Sequence, residues 1–335
     1  MKLLMLGGTR FLGKTIVETA LRRGHEVTLF NRGNRPELFP QLEQLAGDRD
    51  GGLDALLGRE WDAVIDTSGY VPRVVKQSLE ALSTKVRHYT FISTIDVYDE
   101  KVPGVISENH PVKKLEDESM EDVQTAYGPM KARCEELVME QMDGEALIVR
   151  CGLIAGPGDH SDRLTYWPSR VARGGEVLAP GNPQAPVQFI DVRDLSEWIV
   201  CKIEERCKGI FTATGPSEPL TMGRFLQACA RTVADDASFT WVTDDFLKEH
   251  EVGAWIEMPL WIPESENLHS LMSIDVSKAI NAGLAYRPLE ETIKDTLRWD
   301  NERQERTERK AGLAAEKEQR LLELWNKRWA EEGAS

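Results

Sequence analysis

The chain has 335 residues, 41% of them hydrophobic and 29% charged, a balance that suits a folded globular protein and excludes both disorder and membrane spanning. A formal charge of −15, from 56 acidic against 41 basic residues, repels a polyphosphate backbone, so no nucleic acid is expected as partner and a small molecule is. The five cysteines, Cys134, Cys151, Cys201, Cys207 and Cys229, are odd in number and form no C-x-x-C pair, which fits neither a disulfide framework nor a zinc site, and no metal is expected.

Residues 2–6 are a short apolar run that meets Gly7-Gly8-Thr9-Arg10-Phe11-Leu12-Gly13, and residues 14–23 then carry apolar side chains at helical spacing. This reads as strand, tight turn and helix, with no signal-peptide cleavage pattern, so a cytoplasmic location is expected. A second β-branched run at 25–30 ends at Asn31-Arg32-Gly33 and completes a βαβ unit. Further strands are expected at 63–66, 89–93 and 146–150, separated by helices around 74–82 and 131–142. Strands alternating with helices predict an α/β fold, a Rossmann-type doubly wound parallel sheet with a smaller carboxy-terminal substrate lobe. The dinucleotide-binding domain is expected over 1–157 with return segments near 187–214. Residues 158–186, broken by prolines, and 215–300 form the expected substrate lobe, with a helix at 220–233. Residues 301–335 are dense in arginine and glutamate and read as a charged helical tail that docks by a stripe of Leu313, Leu321, Leu322, Leu324 and Trp325. A homo-oligomer contact is the sharper reading of the same stripe.

A strand that stops at glycines and restarts as a helix aims backbone N–H groups and the positive end of the helix dipole at one spot, which suits a pyrophosphate. Gly7, Thr9, Arg10, Phe11, Leu12 and Gly13 are therefore candidate cofactor-binding residues. Gly7 and Gly13 hold the outer places of a G-x-x-G-x-x-G pattern, and Arg10 takes the middle place, where its planar fork of donors suits phosphate. An acidic residue after the second strand would select NAD; Asn31 and Arg32 stand there instead and favour the extra 2′-phosphate of NADP, with NAD the alternative. Asp48, after Ala46-Gly47, is a candidate cofactor contact, standing where many dinucleotide-binding enzymes hydrogen-bond the adenine amino group, although a surface-turn aspartate reads the same way.

Thr94 follows an apolar strand at its carboxyl end, where open α/β sheets place their ligands. Tyr127 and Lys131 are four apart and share one side of a helix. A free tyrosine has a pKa of about 10 and is a poor base near neutrality unless a neighbouring cation stabilises the phenolate. Lys131 supplies that charge, and Thr94 would hydrogen-bond a substrate oxygen beside Tyr127. Pro129 disfavours a helical Gly128, so Tyr127 is expected just ahead of the helix.

The ordered set of the glycine turn, Ser93-Thr94, Val97-Tyr98, Tyr127-Gly128-Pro129-Met130-Lys131, Arg150, Gly156-Pro157 and Phe189-Ile190-Asp191-Val192-Arg193-Asp194 resembles the extended and atypical short-chain dehydrogenase/reductases. This group is also called the NAD-dependent epimerase/dehydratase family, and the resemblance covers residues 1–300. It implies an NAD(P)-dependent oxidoreductase acting on a carbonyl or alcohol of a small or sugar-like substrate, with Thr94, Tyr127 and Lys131 catalytic and Tyr127 and Lys131 also at the cofactor, Lys131 on the nicotinamide ribose.

Departures from the family pattern bear on the substrate. Leu153 and Val187 stand where the sugar-nucleotide epimerases carry an asparagine and an arginine, and Thr94-Ile95-Asp96 replaces the dehydratases' Thr-Asp-Glu. Loss of the arginine removes a diphosphate partner, which weakens an epimerase or dehydratase with retained NAD relative to a reductase. The Gly7–Phe11 turn also resembles atypical members related to chloroplast stem-loop RNA-binding proteins; the acidity argues against RNA, and an intact Thr94, Tyr127 and Lys131 argues for retained chemistry. Ser93, Asp96, Tyr166 and Trp167 are candidate substrate contacts, the last two because they follow Gly156-Pro157-Gly158, where this architecture forms its cleft.

Overall fold

The computed structural model describes residues 1–234, 236–303 and 308–333. In chain order the first elements are β1 (Lys2–Leu6), α1 (Phe11–Arg22), β2 (Glu26–Asn31), β3 (Glu43–Ala46), β4 (Ala63–Asp66), α2 (Pro72–Leu82), β5 (Tyr89–Thr94), α3 (Val123–Gln141) and β6 (Ala146–Cys151). They continue with β7 (Leu153–Ala155), α4 (Tyr166–Val171), β8 (Glu176–Pro180), β9 (Phe189–Asp191), α5 (Val192–Glu204), β10 (Gly209–Ala213), α6 (Met222–Val233) and β11 (Ser238–Val242). Helices α7 (Asp244–Glu249), α8 (Ser277–Asn281), α9 (Leu289–Glu302) and α10 (Ala315–Gly333) complete the chain. Among the described residues no helix is long and apolar enough to cross a membrane.

The contacts divide the chain into two units. The first comprises Met1–Ile154, Val192–Ser217 and Ile274–Tyr286. Its seven strands lie in the order β10-β6-β5-β4-β1-β2-β3, all parallel. Their continuous apolar runs follow from burial on both faces, since crossover helices cover each side of a parallel sheet. Helix α1 packs on α5, and α2 packs on α3. Leu79, Leu82 and Val138 from the latter pair close a core over Leu4, Val64, Phe91 and Ile148. The order reverses at β1, which lies between β2 and β4; this is where such sheets open a crevice at their carboxyl ends.

Residues 189–200 were expected to return to the main sheet. Only β10 does so: β9 is three residues long and not a strand of that sheet, and from Val192 the apolar positions repeat at helical spacing as α5. Edge strand β3 was not anticipated.

The second unit comprises Ala155–Asp191, Glu218–Ser273 and Arg287–Ser335 as contacts group it. It holds the parallel pair β8–β11 and the mutually packed helices α4, α6 and α9. The charged segment expected as a tail folds into this unit, although residues 304–307 and 334–335 lie outside the described residues. Leu313, Leu321 and Leu322 are buried, and Trp325 meets Phe246 edge-on with ring centres 4.9 Å apart. Helix α10 also delivers a carboxylate to the interior, where Glu318 pairs with Arg170 and accepts from the Leu178 amide at 3.1 Å. Glu318→Ala leaves a buried guanidinium without its counter-ion, so it should cost about 3 kcal/mol of stability in a denaturant titration. An unchanged midpoint would show that this pair does not anchor α10.

Candidate active site

At the end of β1 the chain turns through Gly7 and Gly8 with φ of +104° and +86°, values that side-chain-bearing residues rarely adopt. A Cβ on Gly7 would stand 2.6 Å from Thr67 Oγ1, and one on Gly13 would stand 3.0 Å from the Gly8 Cα. The turn therefore brings backbone close to the start of α1, whose N-cap is Arg10; the Arg10 side chain makes no capping bond and is exposed. Thr9 and Phe11 lie partly exposed in the turn, and Leu12 and Gly13 are buried under it. The arrangement fits a dinucleotide pyrophosphate at the helix N-terminus.

At the end of β2, the Gly33 amide donates to Asn31 Oδ1 at 2.8 Å, which fixes the orientation of the side-chain amide. Asn31 Nδ2 is left buried with no hydrogen-bond partner among the described residues. The neighbouring Arg32 is exposed. Asp48 is exposed, and its Oδ1 accepts from the Asp50 amide at 3.0 Å. Its neighbour Arg49, which the sequence reading passed over, runs inward to Asp66 at the end of β4, with two bonds of 2.6 and 2.8 Å. Asp66 also accepts from the Tyr89 hydroxyl at 2.9 Å and the Ser68 amide at 3.0 Å. Burial opposes its ionisation, but Arg49 prevails and its pKa falls below the usual carboxylate value. The pair thus fixes the Asp48 loop to the switch point of the sheet.

Thr94 ends β5 and accepts from the Asp96 amide at 3.2 Å, capping a single 3-10 turn over Ile95–Val97. The long helix α3 is broken at Ala126, where φ and ψ are −131° and 36°. Tyr127 therefore opens a new helical stretch, and Pro129 falls in its first turn, where a missing N–H is tolerated. Gly128 is needed because a Cβ there would stand 2.2 Å from the Asp96 carbonyl oxygen. Removing that atom lets α3 lie directly on the turn after Thr94.

Lys131 is 2% exposed, and its ammonium donates to the carbonyls of Gly69 at 2.7 Å and Ile92 at 2.6 Å. It also lies 3.9 Å from the centre of the Phe91 ring. Burial lowers its pKa to about 8. Burial likewise raises the Tyr127 phenol above its ordinary value; the neighbouring Tyr70 adds to the rise, and a hydrogen bond with Thr94 opposes it. One turn beyond Lys131, Glu135 is buried and grips Arg150 of β6 through bonds of 2.7 to 3.1 Å. These two residues hold α3 against β5 and β6.

The structure gathers Thr94, Tyr127, Lys131, Asp96 and the glycine turn in the first unit. Of the expected substrate contacts, Ser93, Tyr166 and Trp167 are buried and Asp96 is not. Ser93 is buried and its hydroxyl donates to Glu135 at 2.5 Å, because alternate strand residues face opposite sides and Thr94 takes the other side. Tyr166 and Trp167 are buried in the second unit, edge to face with each other, and the Trp167 indole N–H donates to the Pro259 carbonyl at 2.9 Å. Their size serves packing there. Asp96 remains partly exposed, 3.1 Å from the Lys113 ammonium.

The chain is 24% identical over 249 residues to the chloroplast stem-loop binding protein of 41 kDa b of Arabidopsis thaliana, an alignment that covers 69% of this chain and 62% of that protein. The chain thus spans less than two thirds of that relative. It is 28% identical over 244 residues to a 2-alkyl-3-oxoalkanoate reductase of Stenotrophomonas maltophilia, covering 66% of this chain and 72% of the relative. Its fold is similar to that of a UDP-glucuronic acid 4-epimerase from Bacillus cereus solved in complex with NAD, with a TM-score of 0.65, 18% identity, and coverage of 90% of this chain and 99% of that one. The sequence pattern of the NAD-dependent epimerase/dehydratase family matches residues 3–212, from the first strand to the last strand of the seven-stranded sheet. Because that match covers residues 3–212, more than half of the 335, the chain belongs to the NAD-dependent epimerase/dehydratase family, a family of nicotinamide-dependent enzymes.

Proposed function

We propose that this protein is an NADP-preferring oxidoreductase that reduces a carbonyl, or oxidises the matching alcohol, in a small or sugar-like substrate. The observation that carries this reading is a buried Lys131 ammonium one helical turn after Tyr127 on α3, with Thr94 hydrogen-bonded to the Tyr127 phenol. A lysine ammonium has three N–H donors. Two are committed to the Gly69 and Ile92 carbonyls, and the third is available to a ribose hydroxyl. The spare Asn31 donor and Arg32 support the 2′-phosphate of NADP, and Arg10 and the α1 amides support the pyrophosphate.

When bound, the nicotinamide supplies or accepts the hydride. The chain's own residues handle the proton. Tyr127, its phenol held protonated by burial, is suited to give its proton to the substrate oxygen as that oxygen gains charge, and the Lys131 cation stabilises the phenolate that remains. Thr94 holds the same oxygen in place.

A second reading is an epimerase or dehydratase that retains NAD, supported by the fold it shares with an NAD-bound epimerase. A non-enzymatic, RNA-binding role, which the name of the chloroplast relative suggests, is disfavoured by the charge of −15.

Titration with NADPH and NADH, followed by nicotinamide fluorescence, should give tighter and exchangeable binding of NADPH; NAD carried through purification would favour the epimerase reading instead. Arg32→Asp should turn the preference towards NAD, and an unaltered ratio of the two dissociation constants would refute the assigned phosphate contact. Tyr127→Phe should lower kcat by about 10²-fold or more in a carbonyl-reduction assay. Full activity in that variant would remove Tyr127 from the mechanism. Because Lys131 loses its charge as pH rises through about 8, kcat/KM should fall on the alkaline side of that value. A flat profile up to pH 10 would mean that the ammonium is not required.

A further inference from the structure

Tyr70 lies in the turn after β4 and was not singled out by any motif. It is 45% exposed, one of five large hydrophobic side chains left open to solvent among the described residues, with Leu57, Val105, Ile256 and Trp329. Of these, Tyr70 alone has ring contacts with the candidate catalytic side chains. Its ring centre is 6.4 Å from that of Tyr127, and the Lys131 nitrogen lies 5.6 Å from it, within cation–π range. The placement is fixed by backbone, because the carbonyl of the preceding residue, Gly69, accepts one of the Lys131 N–H bonds. Partial burial raises the Tyr70 phenol's pKa, and the charges of Arg10 and Arg49 oppose that rise, so the residue also stands within electrostatic reach of the glycine turn.

The ring is thus open to solvent over part of its surface while it borders a buried cation. If the third Lys131 donor serves the ribose next to the nicotinamide, a ring 5.6 Å from the same nitrogen borders that riboside. We propose that Tyr70 is a positioning residue whose ring forms a wall of the nicotinamide-riboside subsite, packing against that end of the dinucleotide and making no contact with the adenosine half. The inference rests on the cofactor reading above and adds a contact that the family pattern does not specify. A flat π surface suits this task, since aromatic stacking holds a planar group at low conformational cost.

The test separates the two halves of the ligand. NADPH carries both ends, whereas 2′,5′-ADP carries only the adenosine end with its phosphate. Isothermal titration of the whole protein with each compound should be done for the wild type and for Tyr70→Phe, Tyr70→Leu and Tyr70→Ala. Tyr70→Phe keeps the ring and should stay within about twofold of wild type for both compounds. Tyr70→Leu and Tyr70→Ala should weaken NADPH about tenfold and leave 2′,5′-ADP within about twofold. Equal losses for the two compounds would reveal a general structural effect and overturn the inference, as would unchanged NADPH affinity in both ring-deleted variants. If the wild type bound neither compound, the cofactor reading itself would fall and the inference with it.

Discussion

The constraint on which the first unit depends is a cation that has almost no water. Lys131 must find its solvation inside the protein, and it does so on two carbonyls, one from the turn after β4 and one from β5, with the Phe91 ring against it. Those partners come from separate segments, so the helix that carries Lys131 can sit in one place only. The break at Ala126 and the bare Cα of Gly128 allow α3 to reach that place, and Tyr127 is carried there with it. Local irregularities in the helix are thus the means by which one buried charge is accommodated.

The same logic recurs at neighbouring strand ends. Asp66 at the end of β4 is matched by Arg49, and Arg150 near the end of β6 is matched by Glu135. Each pair joins segments distant in sequence, and each lies next to a residue expected to touch ligand: Asp48 in one case, Thr94 in the other. Buried pairs of this kind add little net stability over apolar packing, but they penalise every arrangement in which a partner is displaced. Their place around the site is consistent with a need for a fixed geometry more than for added stability.

How far the sequence could be read follows from the range of each interaction. The central strands were legible because burial on both faces makes them unbroken apolar runs, and the glycine turn was legible because positive φ restricts residue choice. Strand β3 was not: Glu43-Gln44-Leu45-Ala46 is four residues at a sheet edge, with no member fully buried. Ser93 was named as a substrate contact together with Thr94, although period-two alternation puts the two on opposite faces of the strand. Tyr166 and Trp167 followed a glycine-rich turn, and nothing local distinguishes an aromatic side chain that faces a ligand from one that fills a core. Arg49, Glu135 and Tyr70 owe their roles to contacts 15 or more residues away in sequence, for which a single sequence gives no signal.

The pairing of Glu318 with Arg170 has a consequence for how the chain is made. Arg170 and the Leu178 amide leave the ribosome about half-way through synthesis, but the carboxylate that satisfies both belongs to the last helix. Until translation has passed residue 318, the Arg170 guanidinium has the carbonyls of Gly174 and Glu176 as partners but not its carboxylate, and the second unit lacks the stabilisation that this pair contributes. The contact that ties α10 to β8 is therefore the last part of this interior that synthesis supplies.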